Sequence, residues 1–167
     1  MKKISMIAAI GNNFELGYQN KLLCHLPRDL KRFKEITSGN TVMMGDRTWE
    51  SLPKKPLPNR RNIVITLDRN ANYQNCEIAF SVEEALNLIH DEEEAFIIGG
   101  ATIYNLFIDK IQRLYLTRIL ADFRADVFFP KVDFSKWDLK EDIFVPKDDN
   151  NLYDLRFQYF QLKTIDE

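Results

Sequence analysis

The stretch AFIIGGATIYNLFI, residues 95–108, predicts a strand, a glycine turn and a helix in succession. Ala95 to Ile98 is an apolar run of strand length, which is typical of a strand covered on both faces of its sheet. Gly99 and Gly100 interrupt the run, and Ala101 to Ile108 is then predicted to be a helix. This stretch therefore predicts one strand and one flanking helix of an α/β sheet.

The same alternation continues along the rest of the chain. Ile4 to Ile10 is a second apolar run, which predicts a central strand. Pro27 begins a helix that runs to about Thr37, because the fixed φ of proline suits the first helical position. Ser81 begins another helix through Ile89, and Glu84 completes a capping box. Three further strands are predicted, over Thr41 to Met44, Asn62 to Thr66 and Glu77 to Phe80.

The C-terminal third favours antiparallel strands. Strands are predicted over Arg113 to Ile119, Lys140 to Val145 and Tyr153 to Leu162, and a polar turn over Lys147 to Asn151 separates the last two. We therefore expect a single α/β domain over residues 1–167. It has a predominantly parallel, mixed central sheet of about eight strands, flanking helices and a C-terminal antiparallel hairpin.

Composition and charge argue against several classes of partner. The formal net charge of -2 gives no overall attraction to nucleic acid or to an anionic membrane. Two cysteines and two histidines show no zinc-ligand spacing, so we expect neither a disulfide framework nor a metal site. No apolar run approaches the ~20 residues of a membrane span, and no signal-peptide cleavage site follows the first run. We expect a cytoplasmic protein with a small ligand.

Asp29 is the acid that we single out for chemistry. On a helix that begins at Pro27, Asp29, Phe33 and Ile36 share one narrow face, because successive residues turn by about 100°. One interpretation is that the charge only interacts favourably with the helix dipole. The other is that the carboxyl group is partly desolvated, so that its pKa rises above the ordinary ~3.9 and it holds or relays a proton near neutral pH.

Two glycine turns suggest a dinucleotide site. Gly99-Gly100 lies between a strand and a helix, where backbone N–H groups can bind a pyrophosphate, although a plain tight turn has the same pattern. Met44-Gly45 repeats the arrangement, and Thr48 is available to donate a hydroxyl to phosphate. Two such turns in one small α/β domain suggest a dinucleotide.

Three other segments carry expectations. Gly11 to Leu26 lacks a clear period, and a loop of that length in a compact domain is usually functional, so it is a candidate lid. Arg60 follows Pro56 and Pro58, and in such a stiffened loop its planar guanidinium can bind a carboxylate. The acidic run Asp91 to Glu94 is interpreted as a solvated loop.

Six segments, taken in order, carry a family resemblance. They are Ile4 to Ala9, Gly17 to Leu30, Met44 to Leu52, Pro56 to Asn62, Ile98 to Tyr104 and Tyr115 to Thr117. Over essentially the whole chain, this pattern resembles bacterial-type dihydrofolate reductase. The resemblance implies hydride transfer from NADPH to 7,8-dihydrofolate, giving 5,6,7,8-tetrahydrofolate for one-carbon metabolism. It also implies inhibition by antifolates and a monomer that binds neither nucleic acid nor membrane.

The resemblance also implies roles for individual residues. Asp29 would anchor the pterin and assist protonation of N5, with Thr117 hydrogen-bonded to it, while Leu22 would lie on a mobile loop over the nicotinamide. Ile7 and Ile98 would offer backbone carbonyls to the pterin. The other implied substrate contacts are Leu30, Phe33, Leu52, Leu57, Arg60 (to the α-carboxylate of the glutamate tail) and Tyr104. The implied cofactor contacts are Ala9, Leu16, Asn20, Gly45, Asp46, Arg47, Thr48, Thr66, Leu67, Ile98, Gly99, Gly100, Ala101, Thr102, Ile103 and Tyr104.

Three positions depart from the family pattern. Cys24 stands where the family usually has Trp, which removes a large wall and an N–H donor near the substrate. Asp46 stands where a basic residue usually lies near the 2′-phosphate of NADP, so that Arg47 is the main counter-charge. Ala101 replaces a third glycine, which is a mild change.

Two alternative functions remain open from sequence. One is a nucleotide-binding module that has lost efficient catalysis, which is motivated by Cys24 and Asp46. The other is a reductase of the same fold that acts on a pyrimidine intermediate of flavin synthesis. The second alternative explains the sheet and the cofactor turn, but it does not require the helix start at Leu26 to Leu30.

Overall fold

The computed structural model describes residues 2–164 of the 167. The predicted domain also includes Met1 and residues 165–167, which lie outside the described residues. The strands are β1 Lys3–Ile10, β2 Glu15–Tyr18, β3 Lys21–Leu22, β4 Thr41–Gly45, β5 Arg61–Ile65, β6 Glu77–Ala79, β7 Glu94–Ile97, β8 Arg113–Ile119, β9 Val127–Phe128, β10 Trp137–Val145 and β11 Leu155–Leu162. The α-helices are α1 Pro27–Thr37, α2 Asp46–Ser51, α3 Val82–Leu88 and α4 Ala101–Phe107, and Phe134–Lys136 forms a 3-10 turn.

An eight-stranded sheet organises the molecule, in the order β10-β11-β8-β1-β7-β4-β5-β6. The pairs from β8 to β6 are parallel, whereas β11 is antiparallel to both β8 and β10. The predicted mixed, mostly parallel sheet and its C-terminal antiparallel hairpin are therefore confirmed. β1 lies in the interior of the sheet and is buried from Ile4 to Ala8, which explains its continuous apolar sequence.

The carboxyl ends of the parallel strands meet at one edge of the sheet. β4 ends at Gly45 and β7 is followed by Gly99, so the two glycine turns predicted from sequence lie side by side at this edge. In open α/β sheets, ligands bind outside the carboxyl ends of the strands. The topology therefore predicts the location of the site before any side chain is considered.

One face of the sheet carries α1 and a compact apolar cluster. Phe33 and Ile36 of α1 pack against buried Ile7, Val42 and Phe96 of the sheet. Pro27 lies in the first turn of the helix, as predicted, and the helix ends at Thr37. This packing fixes which side of α1 faces the sheet, and Asp29 lies one turn before Phe33 on that side.

Two details of the prediction were wrong. Gly11 to Leu26 is not a plain loop, because β2 and β3 pair with each other and β2 pairs with β9 in a second, three-stranded sheet. The acidic run is only half solvated, since Glu93 accepts hydrogen bonds from Arg61 and Thr41, and Glu94 pairs with Arg113 at the start of β7.

The predicted element ends need smaller corrections. β10 begins at Trp137, three residues before the predicted Lys140, and β11 begins at Leu155 instead of Tyr153. Half of the predicted capping box of α3 forms, because Ser81 accepts a hydrogen bond from the Glu84 backbone N–H at 3.0 Å. The Glu84 carboxylate accepts from the backbone N–H of Phe80, the residue before the N-cap, and not from that of Ser81. No helix within residues 2–164 is long and apolar enough to cross a membrane.

Candidate active site

Asp29 and Thr117 meet where α1 crosses the sheet. Asp29 is the third residue of α1, and Thr117 lies in the interior strand β8 with 2% of its surface exposed. The Thr117 hydroxyl donates a hydrogen bond to Oδ1 of Asp29 at 2.5 Å. This bond fixes one carboxylate oxygen and leaves Oδ2 available to a ligand.

The environment of Asp29 favours its protonated form. Burial raises the pKa of Asp29 above its ordinary value, because the anion loses hydration. The hydrogen bond from Thr117 and the positive charge of Arg32 act in the opposite direction and lower the pKa. The net result is a raised pKa, which suits a group that exchanges protons near neutral pH.

A small pocket of about 80 Å³ opens beside Asp29, between α1 and the segment that holds β2 and β3. Its lining residues are Ala9, Leu16, Leu22, Leu23, Cys24, His25, Leu26, Asp29, Leu30 and Ile119. Four of the predicted site residues besides Asp29 are therefore brought together here, namely Ala9, Leu16, Leu22 and Leu30. Burial and the nearby Asp29 charge raise the pKa of the Cys24 thiol to about 11, so this cysteine is neutral at physiological pH.

Five other predicted substrate contacts form part of the apolar cluster under α1. Ile7 is buried in the cluster, and the partly buried members are Phe33, Leu52, Leu57 and Ile98. Phe33 carries this wall toward Arg60, whose guanidinium lies 5.8 Å from the Phe33 ring. An acid at one end, an apolar wall and a cation at the other end match a ligand with a polar head, a flat body and an acidic tail.

Arg60 is held in place by two hydrogen bonds. Its Nη1 donates to the Thr37 hydroxyl at 3.0 Å, and its Nε donates to the Pro58 carbonyl at 2.9 Å. A guanidinium has five N–H donors in a rigid fork. The donors that these bonds do not use can therefore reach a ligand carboxylate without further ordering of the side chain.

Tyr104 connects α4 to β1. The buried hydroxyl of Tyr104 donates to the Ile7 carbonyl at 2.8 Å, and burial raises the pKa of Tyr104 so that it stays neutral. A carbonyl oxygen has two lone pairs, so the bond from Tyr104 does not by itself exclude a second donor at the Ile7 carbonyl.

The two glycine turns are joined directly. Gly45 N–H donates to the Gly99 carbonyl at 2.9 Å. Gly99 has a φ of 126°, which L side chains rarely adopt, and a Cβ on it would lie 3.3 Å from the Thr48 hydroxyl oxygen. A Cβ on Gly45 would lie 2.9 Å from a side-chain carbon of Ile103. Both glycines are therefore positions where a side chain would collide with neighbouring protein groups, which keeps the two turns close to Thr48, Ile103 and Tyr104.

The remaining predicted cofactor contacts surround these turns or lie on nearby loops. Asp46 and Arg47 begin α2, Ala101 and Thr102 begin α4 beside Gly100, and neither helix start has a side-chain cap. Thr66 and Leu67 follow β5, where Thr66 is buried and Leu67 is 92% exposed. Asn20 lies in the exposed turn between β2 and β3.

Sequence reasoning missed several contacts of the site. Tyr73 donates its hydroxyl to Oδ1 of Asp46 at 2.6 Å, and the ring packs against Trp49 with centroids 5.8 Å apart. His25 and Ile119 line the Asp29 pocket, but neither belongs to a sequence motif that predicts this position. Arg32, which acts on Asp29, follows it by three residues on one helix, a spacing that could have found it.

Comparisons with known proteins agree with this geometry. A family model described as Dihydrofolate reductase matches residues 3–162. The curated dihydrofolate reductase of Bacillus subtilis (strain 168) is 43% identical over 136 residues, which cover 81% of this chain and 80% of the relative. That of Neisseria meningitidis serogroup A is 45% identical over 139 residues, 82% of this chain and 85% of the relative. A solved dihydrofolate reductase from Enterococcus faecalis, complexed with NADP(H) and RAB-propyl, superposes with a TM-score of 0.88 and 34% identity, covering 97% of each chain.

Proposed function

The chain belongs to the dihydrofolate reductase family, and from this premise we propose how its own residues reduce 7,8-dihydrofolate to 5,6,7,8-tetrahydrofolate with NADPH. The family match covers residues 3–162, and the matched relatives are named for this activity. The alternative reductase of flavin synthesis is therefore set aside. The partly buried Asp29 carboxyl group, hydrogen-bonded to Thr117 and open to a pocket, is the observation that carries the residue assignment.

The residues of the glycine turns fit a dinucleotide. A Cβ at Gly45 or Gly99 would intrude into the turns, and the Thr48 hydroxyl lies against Gly99, where it can donate to a phosphate oxygen. The uncapped first turns of α2 and α4 offer backbone N–H groups. We assign the pyrophosphate to Gly45, Thr48, Gly99, Gly100 and Ala101. When bound, NADPH supplies the hydride for C6 of the pterin.

Asp29 has two tasks in this proposal. Its Oδ2 accepts N–H groups of the pterin, which orients the ring, while Thr117 holds Oδ1. Its raised pKa keeps a fraction of the carboxyl groups protonated near neutral pH, so that a proton is available in a site from which bulk water is partly excluded. The proton is transferred toward N5 of the pterin, directly or through one water molecule.

The rest of the substrate is bound by the apolar wall and by Arg60. Phe33, Leu52 and Leu57 contact the flat body of the folate, and Arg60 binds the α-carboxylate of its glutamate tail. Leu22, which is 81% exposed on β3 beside the pocket, covers the nicotinamide when the segment from Gly11 to Leu26 closes. A monomer, a cytoplasmic location and the lack of a nucleic-acid partner remain predictions.

The test is NADPH oxidation with dihydrofolate between about pH 5 and pH 8, for the wild type, Asp29→Asn and Glu35→Gln. Glu35 is an exposed acid on the same helix, so its variant makes the same change of charge without touching the site. We expect Asp29→Asn to lose about 10²- to 10⁴-fold in rate at pH 7 and to recover in part toward pH 5, where solvent protons are abundant. Full activity of Asp29→Asn at pH 7 would refute the assignment.

A further inference from the structure

Arg32 lies one helical turn after Asp29 and extends over the same part of the sheet. Its guanidinium carbon is 4.6 Å from the ring centre of Phe157 and 5.9 Å from that of Tyr115. Phe157 in β11 is the register partner of Thr117, the residue that donates to Asp29. The cation, the two aromatic rings and the acid therefore occupy one small patch on the face that carries α1.

Among the described residues, no acidic side chain lies within ion-pair distance of Arg32. Within residues 2–164, Arg32 takes part in none of the close ion pairs, whereas Arg28 on the same helix pairs with Asp148 at 2.8 Å. Side chains three residues apart on a helix are neighbours, with Cβ atoms about 5–6 Å apart. Burial lowers the pKa of Arg32, and among the groups whose charge opposes this effect Asp29 comes first, ahead of Glu141 and Tyr115.

We propose that Arg32 is a positioning residue of the reductase: its permanent charge, held against Tyr115 and Phe157, stabilises the Asp29 anion and thereby sets the upper limit of the pH range in which the enzyme works. The proposal rests on the proton-handling role of Asp29. Aromatic faces hold a guanidinium by cation–π attraction while leaving its charge free to act on a third group. A direct ion pair would instead hold the carboxylate and compete with the substrate for it.

The other groups that face Asp29 do not supply such a charge. Thr117 of β8 is neutral, and burial keeps Tyr104 of α4 and Cys24 neutral by raising the pKa of each. Burial likewise raises the pKa of Tyr115 to about 12. His25 also lines the pocket, but its side chain is exposed to solvent. Arg32 is therefore the fixed cation that opposes the effect of burial on Asp29.

Arg32→Met tests the proposal, because methionine keeps an unbranched apolar side chain over the rings and removes the charge. Lys31→Met is the matched control, since Lys31 is the exposed cation next to Arg32 on α1. The measurements are the pH dependence of hydride transfer in single turnovers and the titration of the Asp29 carboxyl carbon by NMR in the ligand-free protein.

We expect Arg32→Met to move both the high-pH fall of the rate and the carboxyl titration upward by roughly 0.5–1 pH unit, the size expected for one charge three residues away on the same helix and partly screened by solvent. Lys31→Met should move neither, and Arg32→Lys should restore most of the wild-type profile. Coincident profiles for Arg32→Met and the wild type would overturn the proposal. If Asp29→Asn retains the wild-type rate and pH profile, the role of Asp29 fails first, and the NMR titration then decides the electrostatic claim by itself.

Discussion

Thr117 and Asp29 are 88 residues apart in the chain, yet the hydroxyl of one donates to the carboxylate of the other at 2.5 Å. The bond connects an interior strand of the sheet to the first turn of α1. It opposes the effect of burial, because it stabilises the anion of Asp29 and lowers its pKa. Thr117 therefore orients the acid and, together with Arg32, lowers its proton affinity against the effect of burial.

Thr117→Val keeps the shape of the side chain and removes this donor. Because hydrogen bonds to charged groups contribute about 1.5–3 kcal/mol, we expect kcat/KM for dihydrofolate to fall about tenfold or more at pH 7. The pKa of Asp29 should rise further, so the fall of the rate at high pH should begin later. Thr117→Ser retains the hydroxyl and should remain near the wild type. Equal kinetics for Val and Ser would show that the bond is not used in turnover.

Asp29 should also make the fold less stable at neutral pH. Its pKa in the folded protein lies above the unfolded value, so the folded state binds the proton more tightly. The contribution of Asp29 to stability is therefore greatest below the unfolded pKa of ~3.9 and is lost as the pH rises through the folded value. Asp29→Asn should raise Tm at pH 7 by about 2–4 °C, the effect of 1 kcal/mol in a chain of this size, and less at pH 4. Thermal unfolding of both proteins at pH 7 and pH 4 measures the change in Tm at each pH. A larger increase in Tm at pH 4 than at pH 7 would contradict the predicted direction of the pH dependence.

Gly99→Ala should weaken cofactor binding in addition to the loss of stability that backbone strain causes. The new Cβ meets the Thr48 hydroxyl and Tyr104 at a φ of 126°. Gly39 provides the control, because it also has a positive φ, 80°, but nothing lies within 4 Å of its absent Cβ. Both variants should lose about 1–2 kcal/mol of stability or more, and only Gly99→Ala should raise the Kd for NADPH at least tenfold. Equal NADPH affinity in the two variants would show that the glycine turns are not part of the cofactor site.

Arg60→Gln should raise KM for dihydrofolate with little change in kcat. The guanidinium is already held by Thr37 and Pro58, and the glutamine cannot offer a charged fork to the substrate carboxylate. We expect KM to rise roughly 10- to 100-fold, in line with the loss of a charge-assisted contact. A reduced pterin that lacks the glutamate tail should be turned over equally by both proteins. A parallel loss with the truncated pterin would mean that the substitution acts through the fold.

Much of the fold could be predicted because its signals are local. Pro27 fixes the start of α1, and the apolar runs of β1 and β7 reveal strands buried on both faces. The helical periodicity that predicts Phe33 on the sheet-facing side of α1 also predicts Asp29 on that side. β2 and β3 were missed because four and two residues are too few to show alternation, and the partner of β2 is β9, far along the chain.

The parts of the site that the sequence did not reveal depend on distant contacts. No sequence pattern near Asp46 predicts the hydrogen bond that its carboxylate accepts from the hydroxyl of Tyr73, 27 residues later in the chain. Glu93 was interpreted as solvated because its partners, Thr41 and Arg61, begin two other strands. Asp29 and Arg60 were candidates from local sequence alone, as an acid on an apolar helix face and a guanidinium in a proline-rich loop. Only the identity of their ligands, the pterin and the glutamate tail, depended on the family resemblance.

The bond from Gly45 to Gly99 gives the nucleotide end of the molecule a property that neither turn has alone. It ties the ends of two neighbouring strands together, so the loops on both sides of the expected pyrophosphate are ordered when the chain folds. The conformational entropy of ordering these loops is then lost in folding and does not oppose association with the cofactor. The affinity for NADPH at this end therefore depends on preorganised loops as much as on direct contacts. The motion needed for turnover is then expected in the segment that carries Leu22.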